Sequence, residues 1–220
     1  SNSKVTFMSA YFESISGLTG TGFSTFDNIK YLDPTLILWR SSSQWIGGLY
    51  FLFFIILIFS NKSFNFKMTN LTYTGENILR SEQNIRDNIL KIFIYYSVLS
   101  FIFLTLLNIS GIRLFNSLNL SMTLVSGGGF LPSNNLSEII STNLQKLVIV
   151  LSLILSMLNF YFLFNLFNKK TLLREHKEDF YLISIAILFI FLIYLYDLNG
   201  LNIIISIVSS LANSGISLIK

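Results

Sequence analysis

The stretch SGLTGTGFST, Ser16 to Thr25, places glycine and hydroxyl residues between a short apolar run and a long hydrophobic one. Its residue types are unsuited to acid–base or nucleophilic work. What they offer is bare backbone. Glycine reaches φ values that other residues avoid and lets the main chain approach a ligand closely. A short helix that ends within a membrane leaves its last carbonyls unpaired, with partial negative charge, and a cation is their natural partner. If the chain then returns extended, successive carbonyls can replace an ion's hydration shell. Thr19, Gly20, Thr21 and Gly22 form the first candidate ion-contacting set, with the threonine hydroxyls as extra oxygens or as ties holding the strand from behind.

The pattern recurs twice. Val125, Ser126, Gly127, Gly128 and Gly129 form a second set, and Ala212, Asn213, Ser214 and Gly215 a third. Gly22-Phe23, Gly129-Phe130 and Gly215-Ile216 occupy the same place in each. One such tract alone reads as a helix C-cap followed by a loop. Three tracts, each after a short apolar helix, read as a ring of tips, which is what a backbone-carbonyl cation filter requires.

The elements that must position these tips are apolar. The chain has 220 residues, 52% hydrophobic and 12% charged, with a mean hydropathy of +0.64. A soluble domain carries about 25% charged residues, so the deficit points to lipid as solvent. Segments 35–59, 88–109, 144–167 and 180–196 have the length of membrane spans, about 17–25 residues. Segments 5–18, 113–125 and 201–212 are shorter and read as re-entrant helices. Lys62, Lys67, Arg80, Arg86 and Lys91 fall in one connection, and Lys169, Lys170, Arg174 and Lys177 in another. By the positive-inside rule both connections are cytoplasmic, which puts the glycine tracts in the outer half. The fold class expected is all-α integral membrane, in repeated units. Residues 1–60 hold the first unit, 61–87 a cytoplasmic loop, 88–168 the second unit, 169–179 another loop, and 180–220 a truncated third unit.

Residues outside the tracts offer little chemistry. No cysteine is present and His176 is the single histidine, which excludes a disulfide framework and a thiolate metal site. His176 is assigned no role. Glu13, Glu138 and Asp197 are scattered, so no carboxylate pair or metal cluster is spaced for catalysis, and no enzyme activity is expected. The basic residues lie between hydrophobic segments, so no nucleic-acid partner is expected; the partner is membrane lipid. Arg40, about two turns into the first span, is expensive at depth. Its candidate ion-pair partner is Glu13, and the alternative is snorkelling to the outer interface. Gly47-Gly48 suits close helix packing or a hinge. Asn159 suits an interhelical hydrogen bond or a pore-lining contact.

FESISGLTGTGFSTFD followed by LWRSSSQWIGGLYF resembles the first filter and following helix of the Trk/Ktr/HKT superfamily of potassium transporters, nearest its TrkH/TrkG branch. FNSLNLSMTLVSGGGF resembles the second pore helix and filter, LSMLNFYFLFNLF the helix after it, and VSSLANSGIS the third filter. The resemblance implies four M1–P–M2 repeats around one pore. On that map the first M1, the third M2 and the fourth repeat fall outside the chain. It also implies potassium as the transported ion, with no covalently bound cofactor. The family's filter glycines fall on Gly22, Gly129 and Gly215; serine at the first goes with sodium preference in plant relatives, so Gly22 implies potassium. Asn213 and Ser214 depart from the commoner threonine-rich pattern. A homodimer, a cytoplasmic nucleotide-binding regulatory subunit and a bacterial inner-membrane location are implied likewise. The reading from a different class is a polytopic membrane scaffold or assembly subunit whose glycine tracts only cap helices.

Overall fold

The computed structural model describes residues 6–60, 85–157, 177–196, 200–216 and 218. The expectations for the connections around 61–84 and 158–176, for Asn159 and His176, and for Asp197 lie outside the described residues. Seven α-helices are described: α1 (Phe7–Leu18), α2 (Pro34–Ser60), α3 (Ile85–Ile109), α4 (Leu114–Ser126), α5 (Asn143–Met157), α6 (Lys177–Tyr196) and α7 (Gly200–Leu211). Short 3-10 turns occupy Ile29–Tyr31 and Leu136–Glu138. Among the described residues there is no strand.

Local chemistry sets several boundaries. Thr6 caps α1 by accepting from Ser9 N at 3.2 Å. Asp33 caps α2, its Oδ1 accepting from Thr35 N at 2.8 Å, while Pro34 fills the first helical position, where a missing N–H costs nothing. The short helices α1, α4 and α7 each follow the shorter apolar segments of the sequence, and each ends in a glycine-bearing tract.

Helix α2 is the scaffold of the first half, packing on α1, α3 and α4, while α7 packs on α5 and α6. Phe103 and Leu107 of α3, Leu120 and Leu124 of α4, Ile149 and Leu153 of α5, and Ile205 and Val208 of α7 form one buried apolar cluster. The outward face of α3 is also apolar: Phe93, Ile94, Val98 and Phe101 are exposed. Ile89–Ile109 is long and apolar enough to cross a membrane, at a mean hydropathy of 2.1. Such a large exposed apolar face is rare on soluble monomers, and hydrocarbon is the solvent that suits it.

Candidate functional site

Each short helix closes with the same two main-chain bonds. Gly20 N donates to Gly17 O and Thr21 N to Ser16 O, both at 3.1 Å. Gly127 N donates to Leu124 O at 3.3 Å and Gly128 N to Thr123 O at 3.0 Å. Asn213 N donates to Ser210 O at 3.2 Å and Ser214 N to Ser209 O at 3.0 Å. This is the Schellman closure, which needs a left-handed residue at its turn. Gly20, Gly127 and Asn213 supply it, with φ of +67°, +68° and +55°. Asparagine is the side chain that tolerates this region best after glycine. The closure partly satisfies the terminal carbonyls that the sequence led one to expect unpaired, so the backbone left to meet a ligand lies beyond the cap.

There the three tracts repeat a second feature. Two residues past each cap residue the chain is left-handed again, at Gly22 (φ +76°), Gly129 (φ +78°) and Gly215 (φ +64°). A Schellman cap has no need of this second residue. At two of the three its role is proximity: a Cβ at Gly22 would run into the Gly128 carbonyl oxygen, and one at Gly129 into the Ser214 carbonyl oxygen, whereas one at Gly215 would meet nothing within 4 Å among the described residues. One at Gly127 would stand 3.6 Å from Ala212 O. The first tract therefore abuts the second, and the second the third, main chain against main chain.

The hydroxyl groups of the tracts face their own helices. Thr19 Oγ1 donates to Ile15 O at 2.8 Å and lies 2.6 Å from Thr21 Oγ1. Ser126 Oγ bonds back to Met122 O at 3.0 Å, one position after Val125 in the last turn of α4. Ser214 Oγ pairs with Ser209 Oγ at 2.9 Å in a buried contact.

Support comes from behind. Ser16 Oγ donates to Phe23 O at 2.6 Å, tying the returning strand to α1. Glu13, buried on α1, accepts from Ser24 Oγ at 2.6 Å and Thr25 N at 2.7 Å through one oxygen. Its other oxygen takes Arg40 Nε at 2.9 Å. The guanidinium lies 4.2 Å from the Phe130 ring centroid, a cation–π distance; its Nη1 and Nη2 have no hydrogen-bond partner among the described residues. Gln44, fully buried, donates through Nε2 to Gly128 O and accepts from Phe130 N at 3.1 Å. The Gly128 carbonyl, one of the candidate ion contacts, is thus held by protein.

These partners share one stripe of α2. Arg40, Ser43, Gln44, Gly47 and Gly48 recur at helical spacing. Ser43 faces Gly17, Gly47 lies against the Leu18 carbonyl, and Gly48 lies against Tyr96 and Ser126. The glycine pair provides close approach to the ends of α1 and α4.

No family model matches the chain. It is 33% identical over 132 residues, 58% of its length, to an uncharacterized cation transporter of Methanocaldococcus jannaschii, of which it covers 27%. It is 25% identical over 216 residues to the Trk system potassium uptake protein TrkG of Escherichia coli, covering 89% of this chain and 43% of TrkG. The crystal structure of the potassium transporter TrkH from Vibrio parahaemolyticus matches with a TM-score of 0.76 at 18% identity, over 97% of this chain and 46% of that one. The chain is thus similar in sequence and in fold to Trk-type potassium transporters.

The chain spans less than half the length of each of these relatives. Its architecture is the all-α repeated-unit membrane fold of the TrkH structure. Within it, the residue that sequence reading missed is Gln44. The available signal was its spacing: one turn after Arg40 and one turn before Gly47-Gly48, on the face that the helix presents to both tracts.

Proposed function

We propose that this chain forms part of a transmembrane path for potassium. Main-chain oxygens of the tracts Thr19–Gly22, Val125–Gly129 and Ala212–Gly215 stand in for hydration water there, and the Glu13–Arg40 pair braces the first tract. The observation that carries the reading is the abutment of Gly22 on the Gly128 carbonyl and of Gly129 on the Ser214 carbonyl. Backbone packed on backbone at three equivalent tips presents many carbonyl dipoles in a small space, which is costly unless a cation or water shares it. Glycine at position 22 and the relatives named for potassium uptake and transport favour potassium over sodium. A homodimer with a cytoplasmic nucleotide-binding regulator, in a bacterial inner membrane, belongs to the same proposal through the family resemblance.

The scaffold reading has one observation in its favour: Schellman closures account for Gly20, Gly127 and Asn213 without any ion. Those closures do not account for the second positive φ that Gly22, Gly129 and Gly215 share. The deciding experiment expresses the full-length protein in cells deficient in potassium uptake. Growth at low potassium is expected, together with a reduced potassium-over-sodium preference in the Gly22→Ser variant. Equal discrimination in both versions would count against a filter.

A further inference from the structure

We infer that Gln44 is a specificity-determining positioning residue that holds the second glycine tract in register with the first; the inference rests on the cation-path reading above. Gln44 belongs to α2, in the first unit, yet its bonds go to Gly128 of the second tract and to Phe130 just after it, 84 and 86 residues away. They flank Gly129. The amide donates to a carbonyl on one side and accepts from an N–H on the other, so one orientation of the carboxamide satisfies both groups and the reverse satisfies neither.

The same Gly128 carbonyl is the atom against which Gly22 packs. One oxygen is thus fixed on one side by Gln44 and on the other by the first tract. Any rotation of the Gly128–Gly129 peptide moves the neighbouring carbonyls and also changes the spacing between two tips. Gln44 resists that rotation. It does so without touching an ion, acting through the backbone it holds.

Among the described residues of the second unit, no α5 side chain makes the corresponding bridge to the third tract. Helix α2 begins at Pro34 and α5 at Asn143, and the same count along α5 reaches Leu153, a fully buried residue of the apolar cluster that also contains Ile216, which follows the third tract. The third tract is held by packing and by the Ser209–Ser214 contact. Among the described residues the carboxamide bridge occurs at the junction of the first and second tracts.

The test uses the full-length protein in proteoliposomes, reading potassium and sodium flux in Gln44→Leu, Gly128→Ala and the double variant. A Cβ at Gly128 would overlap the Gln44 carboxamide, and the Gly128 φ is not in the left-handed region, so each single change breaks the same bridge. Each is expected to lower the potassium-to-sodium flux ratio by about tenfold, and the double variant should match the singles. If the two losses multiply, the changes act independently and the bridge is overturned. An unchanged ratio in Gly128→Ala overturns it as well, even should Gln44→Leu fail to fold. Parallel Gly22→Ser and Gly129→Ser variants separate the two levels. A ratio that falls in these but not in Gln44→Leu or Gly128→Ala sinks only the bridge. A ratio unmoved in all four sinks the cation path.

Discussion

Arg40 and Glu13 form a buried ion pair across α2 and α1, Nε to Oε2 at 2.9 Å, each side chain 1% exposed. Breaking a buried pair by removing one partner strands a charge, at about 3–5 kcal/mol. Counting back seven residues from the cap residue, Glu13 corresponds to Leu120; counting along the following helix, Arg40 corresponds to Ile149, and both are fully buried. The second unit therefore fills this space with hydrocarbon. Arg40→Ala and Glu13→Ala should each sharply reduce the monodisperse, folded fraction in detergent. Glu13→Leu combined with Arg40→Ile should recover part of it. Recovery stays incomplete because Ser24 and Thr25 N lose their acceptor. Protein surviving the Arg40→Ala change should keep its ion preference; full yield with altered preference contradicts a purely structural pair.

Gly20 and Gly22 look alike in sequence but are constrained differently. Both have positive φ. A Cβ at Gly20 meets nothing within 4 Å among the described residues, whereas one at Gly22 meets the Gly128 carbonyl. Asn213, at φ +55°, occupies the place of Gly20 in the third tract. Gly20→Asn should therefore cost less than the roughly 1–2 kcal/mol of an ordinary left-handed side chain and should support growth at low potassium. Gly22→Asn forces two backbones apart and should abolish that growth. Equal phenotypes would show that the collision does not govern the first tip.

Asp33 makes the start of α2 pH-sensitive. Its hydrogen bonds with Thr35 hold the carboxyl below the ordinary carboxylate value. A depressed folded-state pKa contributes stability that is present above the unfolded value and lost as pH falls through the folded one. Asparagine caps helices comparably and does not titrate. The melting temperature of native protein should therefore fall relative to Asp33→Asn as pH drops below about 4. A difference that stays constant with pH would remove Asp33 as the cause.

The apolar segments were legible because length and periodicity alone separate α2 and α3 from the short α1, α4 and α7. The Glu13–Arg40 pairing was legible because a lone charge in an apolar helix needs a partner at its own depth. The division of labour within each tract was hidden, since φ is not written in residue type: Gly20 closes a helix and Gly22 admits a neighbour. Asn213 in a glycine's role obscured the third tract further. Gln44 was hidden for a different reason. Its partners, Gly128 O and Phe130 N, are backbone groups, which leave no complementary side chain to find. The same holds for Asn134, whose Oδ1 takes Ile29 N at 2.6 Å and ties together the segments that follow the first two tracts.

Gly48 allows α2 to pack on α3 and α4 at once. A Cβ there would stand 2.7 Å from Tyr96 Oη and 3.0 Å from Ser126 Cβ. The tyrosine hydroxyl donates to Trp45 O at 3.0 Å, and the Trp45 and Tyr96 rings are 5.3 Å apart. Overpacking of this kind costs about 1–3 kcal/mol, so Gly48→Ala should lower the melting temperature in detergent. Removing the tyrosine hydroxyl clears the nearer of the two contacts while forfeiting one hydrogen bond, about 1 kcal/mol. Gly48→Ala should then be less damaging in a Tyr96→Phe background than in the native one, by a coupling of the size seen for touching residues. Additive losses would mean that Ser126, and with it the last turn of α4, sets the limit on how closely α2 approaches.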